Sequence, residues 1–318
     1  MLNWNGDQHI HTCIQHILDQ TYRFIEIIIV DNKSTDGSIQ KITKMYPGFK
    51  YILNNSNLGF AKGMNQGINI SNGEYIIPMN QDVCLDKKFV ENCINKILKN
   101  DGIGAVGGRV YSWLGDELTC IIRQGEGEGY FLRKRFQGIS GLKTESERLV
   151  FAPTGSFPFL KRSMLDDIFS VSGDFYDENY VTGWEDIDLF FRMHLRGWKC
   201  IFLPDAYGWH VGSGSVGGKS TLLEKDFDYQ IRILRNRYFT IIKNIPINII
   251  LWLSPYLLIA ELALIPYFLI KSPKTILALI IAWKEIISNI GILKLKRKLI
   301  LNSTIVPKNY LKQFFIKF

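Results

Sequence analysis

The sequence predicts an α/β fold with a mainly parallel sheet, helices on both faces of that sheet, and an apolar helical region at the C-terminus. Residues 25–30 and 75–79 are largely apolar runs of strand length. Segments with helical periodicity separate such runs, and repeated strand–helix–strand units form parallel sheets. The nearly unbroken apolar segment 245–270 sets the C-terminal region apart.

The predicted elements follow one another closely. Residues 9–20 carry Ile10, Ile14 and Ile17 at helical spacing, and Ser34 begins a run of helix-capping residues after the first strand. The alternation continues with strand 51–53, helix 61–70, strand 75–79, strand 103–106, an ordered segment at 151–160, helix 186–196 and strand 200–203. Residues 111–150 depart from this pattern, because they are rich in glycine and charge, and we expect a mobile loop or insertion there.

Composition and charge divide the chain into two parts. The 318 residues are 47% hydrophobic, which is enough for one large domain with an appendage. The net charge of +8 comes from the tail, since residues 271–318 contain ten Lys or Arg against one acid, Glu285. A basic tail that follows an apolar segment is typical of proteins that bind a membrane surface, and it argues against nucleic-acid binding. We place the boundary between residues 1–240 and 241–318.

The apolar segment 245–270 is long enough to span a bilayer core of ~30 Å. Glu261 and the prolines Pro255 and Pro266 argue against a full span, and a second apolar run follows at 276–283. Soluble packing helices and a full span are the alternatives. We expect an interfacial or re-entrant hairpin with lysines at anionic headgroups. The five cysteines form no CxxC or zinc spacing, which favours reduced, buried thiols and the cytoplasm.

Two predicted strands end in acids, at Asp31 and Asp82. Ligands bind at the carboxyl ends of strands in open parallel sheets, so both acids are candidates for a site, although a lone Asp there is more often a turn or cap residue. Asn80 lies two positions before Asp82. Their oxygens could hold Mg²⁺ or Mn²⁺ together with phosphate oxygens of a substrate.

Residues 183–188, GWEDID, place three carboxylates at the start of a predicted helix. Acids are favoured there by the helix dipole alone. Three carboxylates are more than helix capping requires. Glu185 or Asp186 could therefore act as a general base that a rigid helix holds in place. His210 lies in GWHVGSGS and is either a structural histidine or a further metal ligand. The glycine-rich segment 57–67 contains no GK[ST] and so is not a Walker loop, and no GxSxG motif is present.

The order of these motifs resembles inverting family 2 glycosyltransferases of the GT-A fold, particularly the rhamnosyltransferase-like branch. The resemblance covers about residues 1–240. It is carried by LNWNG at 2–6, EIIIVDNKSTDGS at 26–38, NLGFAKGMNQG at 57–67, YIIPMNQD at 75–82, TGSFPFLKR at 154–162, WEDIDLFFR at 184–192 and GWKCIFLPDAYGWHVGSGS at 197–215.

The resemblance implies a role for each candidate residue. Asp82 would bind Mg²⁺ or Mn²⁺, and His210 would approach the metal or the diphosphate. Asp186 would be the general base, with Glu185 orienting the site, and Arg192 would brace the acidic helix through Asp188. The implied nucleotide-binding residues are Asn3, Asn5, Asp31, Asn32, Gly59 and Asn80.

Two departures from the family pattern stand out. Gln81 occupies a position that is usually acidic or Asn, and we expect its side chain to point away from the metal. The family's first strand is reduced to Met1 and Leu2. We expect either that translation starts upstream of Met1 or that the chain is a truncated copy.

The expected function is the transfer of one sugar from dTDP-rhamnose or a UDP-sugar to a lipid-linked or cell-surface glycan acceptor at the cytoplasmic face of the membrane. The run 230–235 does not match the QxxRW motif of processive enzymes, so we expect single-sugar addition. Acceptor contacts are expected in residues 111–160. The alternatives are a nucleotidyltransferase and a catalytically degenerate nucleotide-binding or scaffold protein.

Overall fold

The computed structural model describes residues 1–122, 131–134, 139–140, 146–212 and 221–316. The strands are β1 (Leu2–Asn3), β2 (Ile28–Asp31), β3 (Lys50–Leu53), β4 (Tyr75–Ile76), β5 (Val83–Leu85), β6 (Ile103–Leu114), β7 (Glu117–Ile122), β8 (Phe131–Arg133), β9 (Ile139–Ser140), β10 (Arg148–Val150), β11 (Phe159–Lys161), β12 (Lys199–His210) and β13 (Phe315–Ile316). The helices are α1 (Ile10–Leu18), α2 (Ser38–Met45), α3 (Gly59–Ile70), α4 (Phe89–Ile97), α5 (Arg162–Ser172), α6 (Glu185–Leu195), α7 (Phe227–Asn244), α8 (Ile247–Lys271), α9 (Pro273–Ser288) and α10 (Ile290–Asn302).

The N-terminal strands form the parallel arrangement that the sequence predicts. β1, β2 and β3 pair in parallel in that order. Apolar side chains from α1, β2 and α2 form one buried cluster, which includes Ile14, Ile29 and Ile42. Burial of such side chains on both sides of β2 explains why its sequence is a continuous apolar run.

The second sheet is mixed, and here the expectation of a mainly parallel sheet is wrong. Its path is β10-β12-β6-β11-β4, with β5 on β12 and β7 on β6. β6 and β12 pair in parallel, whereas the other pairs in this sheet are antiparallel. The β6–β7 case has a simple cause: two residues, Gly115 and Asp116, join the strands, and so short a connection permits only antiparallel pairing.

The expectation of a mobile loop at 111–150 is also wrong for the part of this segment that the structure describes. β6 continues to Leu114, β7 pairs with it, and β10 pairs with β12. The glycine-rich run at 124–129 lies outside the described residues.

The reduced first strand joins the two sheets. Leu2 pairs with Val30 of β2 and forms a parallel bridge with Asn80, while its N–H donates to the Met79 carbonyl. Below this short strand, an apolar cavity of about 250 Å³ separates β2 from β4. Two residues of β1 therefore connect the parallel and mixed parts of the fold.

The C-terminal helices pack against α7, and α10 also contacts α5 and α6. Within the described residues, α8 is the one helix long and apolar enough to cross a membrane, and α9 with α10 would form a second only as a pair bent by 64°. α8 stays helical through Pro255 and Pro266 and buries a narrow stripe, in which Ile249, Leu253 and Ala260 lie. Most of its remaining apolar side chains are exposed.

The predicted boundary at residue 240 falls inside α7. Lys243, near the end of this helix, is buried and forms ion pairs with Asp177 and Asp188. Glu261 of α8 pairs with Arg237 of α7, which gives this carboxylate in the apolar helix a partner on the protein side. Charged contacts thus tie the C-terminal helices to the body of the protein.

Candidate active site

An open cleft of about 740 Å³ lies where the strand ends, the loop before α6 and the start of α7 meet. Both acidic and basic side chains line it. Asp82 and Asp226 are acidic, and Arg232 is the basic residue among the described lining residues. The lining residues are Leu2, Trp4, Asn32, Asn57, Gly59, Phe60, Asn80, Gln81, Asp82, Val181, Thr182, Asp226, Tyr229 and Arg232.

The two predicted metal ligands lie together at this cleft. The register of β5 and β12 pairs His210 with Val83, and His210 Nε2 lies 3.4 Å from Asp82 Oδ1. Both side chains are buried. Burial alone would raise the pKa of Asp82, but the hydrogen bond and charge of His210 outweigh it and the pKa lies below its ordinary value. Asp82 is therefore ionised at neutral pH.

This pair fits a divalent cation that a substrate helps to hold. The described residues contain no group of three or more His, Cys, Asp or Glu side chains able to bind a metal by themselves. One carboxylate and one imidazole nevertheless match Mg²⁺ or Mn²⁺ sites in which phosphate oxygens and water supply the remaining ligands. The donor set of Asp82 and His210 thus suits a metal that arrives with a phosphorylated ligand.

Gln81 is turned away from the metal pair, as expected. Its Nε2 donates to the Trp4 carbonyl at 2.8 Å, and its Oε1 accepts from the Trp4 N–H. These two bonds fix the segment after β1 against the loop that carries Asp82. The side chain therefore supports the loop and leaves metal binding to its neighbours.

The six predicted nucleotide-binding residues divide into two groups. Asn32, Gly59 and Asn80 line the cleft. Asp31 is buried behind them and accepts hydrogen bonds from Asn3 Nδ2 at 2.8 Å and from the Ser34 hydroxyl at 2.6 Å.

Asn3 and Asn5 belong to the second group with Asp31. Asn5 adopts a positive φ of 53° and accepts a hydrogen bond from the Thr35 N–H at 2.8 Å. Asn3 is fully buried, and its Oδ1 has no hydrogen-bond partner among the described residues. These three side chains shape the loop behind the cleft.

The acidic turn predicted at 183–188 begins α6, and its three acids lie in different environments. Asp188 is buried and accepts from Arg192 Nε at 2.9 Å, which confirms the predicted brace. Asp186 Oδ1 accepts from the Ile187 N–H at 2.7 Å, and its Oδ2 lies against Gly155, where a Cβ would collide with it. Asp188 is thus held by charge, whereas Asp186 faces the glycine.

Glu185 is buried without charge compensation. Its Oε2 has no hydrogen-bond partner in the part of the chain that the structure describes. Burial, with the neighbouring charge of Asp186, raises the pKa of Glu185 to about 8. Glu185 is therefore largely protonated at pH 7.

The turn at residues 154–156 joins the metal loop to the acidic turn. The Ser156 carbonyl accepts from the Asn80 N–H at 3.1 Å, and Gly155 provides the space that Asp186 occupies. No role was predicted for this TGS segment, although its glycine lies between two hydroxyl residues in the sequence. The two predicted acidic sites therefore share one connecting turn.

Two cleft residues on α7 were also missed. Tyr229 and Arg232 are three positions apart and so share a helix face. The Nε of Arg232 is buried with no hydrogen-bond partner among the described atoms, and its ion pair with Asp226 is long, at 4.0 Å. Their i, i+3 spacing on a helix was the sequence signal that could have identified them.

A family model and curated relatives match the chain. The model described as "Glycosyl transferase family 2" matches residues 1–169. The chain is 34% identical over 107 residues to an "Uncharacterized glycosyltransferase" of Haemophilus influenzae, over 33% of each chain. It is 24% identical to "Glycosyltransferase GlyG" of Streptococcus pneumoniae, over 67% of this chain and 70% of that one. It is 24% identical to "Poly-beta-1,6-N-acetyl-D-glucosamine synthase" of Staphylococcus aureus, over 68% of this chain and half of the relative.

Two solved structures have a similar fold. GalNAc-T7 with UDP, GalNAc and Mn²⁺ aligns with a TM-score of 0.59 at 16% identity, over 76% of this chain and 46% of the other. S. aureus TarS 1–349 in complex with UDP aligns with a TM-score of 0.50 at 16% identity, over 76% and 64%. The predicted GT-A fold is confirmed, while the rhamnosyltransferase-like branch stays a prediction. Because the family model covers more than half of the chain, the protein belongs to glycosyl transferase family 2.

Proposed function

We propose that this glycosyltransferase is metal-dependent and inverting, and that it moves one sugar from a nucleotide-diphosphate donor to a lipid-linked or cell-surface glycan. The proposal rests on one observation. The loop that carries Asp82 contacts the turn at 154–156 through Asn80, Asp186 lies against Gly155 of the same turn, and Asp82 lines a cleft large enough for a nucleotide-sugar. Leaving-group stabilisation and proton removal are the two tasks of a single displacement, and they need such neighbouring sites.

The donor diphosphate is proposed to lie between the metal pair and α7. Asp82 and His210 would hold Mg²⁺ or Mn²⁺, which supplies charge neutralisation for the departing diphosphate when bound. Arg232 lines the cleft from α7, and guanidinium groups bind phosphate oxygens well. The nucleoside would contact Asn32 and the loop that Asp31 supports.

Asp186 is proposed to accept the proton of the acceptor hydroxyl. It lies at the first turn of α6, a rigid element, and a base must be held rigidly near the reacting oxygen. Glu185 keeps its own proton at neutral pH and so adds no second negative charge beside the base. Attack from the face opposite the leaving group inverts the anomeric centre in one step.

The C-terminal helices are proposed to lie at the cytoplasmic surface of the membrane. α8 exposes large apolar side chains, among them Leu251, Leu258 and Leu262. Exposed lysines accompany this apolar surface on α9 and α10, including Lys284 and Lys294. An apolar face flanked by cations is the arrangement that binds anionic bilayers, where a lipid-linked acceptor would be found.

The donor is proposed to be a UDP-sugar or dTDP-rhamnose. UDP is supported by the two solved structures that carry it, and dTDP-rhamnose by the motif resemblance. Single-sugar addition is proposed from the lack of a QxxRW match at 230–235, although relatives named polysaccharide synthases share part of the sequence.

Donor turnover tests this proposal. The full chain, with anionic vesicles and either Mg²⁺ or Mn²⁺, would be offered UDP-sugars and dTDP-rhamnose together with a membrane lipid extract as acceptor. Release of nucleoside diphosphate with an inverted product is expected. Release of pyrophosphate would instead mean nucleotidyl transfer, and a chain that binds UDP yet turns over no donor would be a degenerate binding protein.

A further inference from the structure

We propose that Asn236 of α7 is a positioning residue that holds the backbone of residues 180–184 in the conformation that presents Asp186. This inference rests on the proposed function, because it takes Asp186 as the base. Asn236 lies in the C-terminal part of the chain and does not line the cleft. Its effect on the reaction is therefore expected to pass through the loop alone.

The loop before α6 has an unfavourable backbone conformation. Val181 has φ 62° and ψ −64°, and Trp184 has φ 73°. Positive φ is rare for residues other than glycine, and it is least favourable for β-branched residues such as valine. Such a conformation persists only where surrounding contacts impose it, and it concentrates at functional sites. Val181 and Thr182 line the cleft, and Asp186 follows four residues after Thr182.

Asn236 supplies the contacts that impose this conformation. Its side chain is fully buried, and Nδ2 lies 2.9 Å from the Tyr180 carbonyl, 3.1 Å from that of Thr182 and 2.7 Å from that of Gly183. One amide group thus gathers three carbonyl oxygens of a four-residue stretch, with at least one N–H shared between two of them.

The opposite side of the loop is held by α3. The Val181 carbonyl accepts from the Ala61 N–H at 3.1 Å, and a Cβ at Gly59 would collide with Val181. The loop therefore lies between the start of α3, which lines the cleft, and α7. With Asn236 shortened, the carbonyls of Thr182 and Gly183 would lose the partner that α7 gives them, while the α3 contacts at Val181 would remain.

The Asn236 side chain is itself fixed by its neighbours. Its Oδ1 accepts from Arg235 Nε at 3.0 Å, and Arg235 also donates through Nη2 to the Asn179 carbonyl at 2.9 Å. Arg235 is in turn paired with Glu285 of α9 at 2.6 Å. A continuous series of contacts thus runs from α9, in the apolar C-terminal region, to the loop that carries the base.

Asn236→Ala tests the inference, and Thr240→Val is its matched control. Thr240 is equally buried one turn along α7, and its hydroxyl contacts the Tyr180 hydroxyl at 2.9 Å, away from the loop carbonyls. Three measurements on the full chain are compared: hydrogen–deuterium exchange of residues 181–187, binding of UDP with Mn²⁺, and kcat with a donor that wild type turns over.

We expect Asn236→Ala to speed exchange in 181–187, lower kcat by about 10- to 100-fold and change the Kd for UDP by less than about threefold, because a small misplacement of a catalytic group costs up to a hundredfold. Thr240→Val should change none of the three, even if it lowers thermal stability. Unchanged exchange in Asn236→Ala would overturn the positioning role. Faster exchange with unchanged kcat would show that the loop conformation does not matter to the base. If wild type turned over no donor, the proposed function would fail, and the exchange measurement would still decide whether Asn236 holds the loop.

Discussion

Asp82 and Glu185 are both buried carboxylic acids beside the cleft, yet their environments give them opposite charge states. Asp82 has the His210 imidazole as its partner at 3.4 Å, and its pKa lies below the ordinary value. Glu185 has a second carboxylate, Asp186, as its neighbour and no hydrogen-bond partner for Oε2 among the described residues, and its pKa rises to about 8. The difference teaches that partner geometry, and not residue type or depth, assigns the roles of acids in this site.

The largest effect is expected from Asp186→Asn. If the Glu185–Asp186 region provides the base, removing its ionisable carboxylate should lower kcat by about 10²- to 10⁴-fold. UDP binding measured by calorimetry should stay close to wild type, because Asp186 is not among the residues proposed to bind the donor. Turnover that survived this change would assign the base to another residue.

A smaller effect is expected at the other acid. Asp82→Asn removes a charged metal ligand and should weaken Mn²⁺-dependent UDP binding and turnover by about 10- to 100-fold, in line with the cost of disturbing a metal site. Excess chelator should abolish the difference between wild type and variant. If the variant required the same metal concentration as wild type, Asp82 would not be a metal ligand, and its proposed role would no longer differ from that of Glu185.

Substitution of Arg232 should weaken donor binding more than it slows the chemical step. Arg232→Gln is expected to raise the Kd for UDP by about tenfold, since a charge-assisted hydrogen bond contributes at least ~1.5 kcal/mol. Arg232→Lys should restore part of the affinity because it keeps the charge. Equal affinity in the Gln and Lys variants would exclude a charge contact with the diphosphate.

The last prediction concerns stability and pH. Because the pKa of Glu185 is about 8 in the folded protein and 4.5 in the reference state, the folded chain retains a proton that the unfolded chain loses between these values. The contribution of Glu185 to the free energy of unfolding should therefore decrease as the pH rises from about 4.5 to about 8. In denaturant unfolding across this range, the free energy of unfolding of Glu185→Gln should fall less with pH than that of wild type. A wild-type contribution that increased with pH would contradict the raised pKa.

Local patterns predicted much of the parallel part of the fold. The strand that ends at Asp31 was expected at 25–30 and is Ile28–Asp31, and the acidic helix expected at 186–196 is Glu185–Leu195. Apolar runs and first-turn acids are local patterns, so they can be recognised from a short segment of sequence alone. The pattern failed at 111–150, where glycine and charge concealed the long strand Ile103–Leu114 and its partner β7.

The candidate site was predictable in its residue types and less so in its arrangement. Asp82, Asn80 and Asp186 were recognisable from strand ends, helix starts and motif order. The roles of Gly155 and Arg232 were not, because each contributes through neighbours that are distant in sequence. A glycine that matters because it leaves space for a distant residue has no recognisable pattern in the neighbouring sequence. The same holds for a side chain that reaches the cleft from another helix.

The sequence by itself determined the alternating α/β pattern, the strand-end acids, the acidic helix start and the apolar C-terminal segment, because each depends on the spacing of neighbouring residues. The tertiary structure alone decided that His210 meets Asp82, through the register of β12 on β5. It also decided that Asn236 meets the strained loop at Val181. Both contacts join segments far apart in the chain, and such contacts exist only once the sheets and helices have packed.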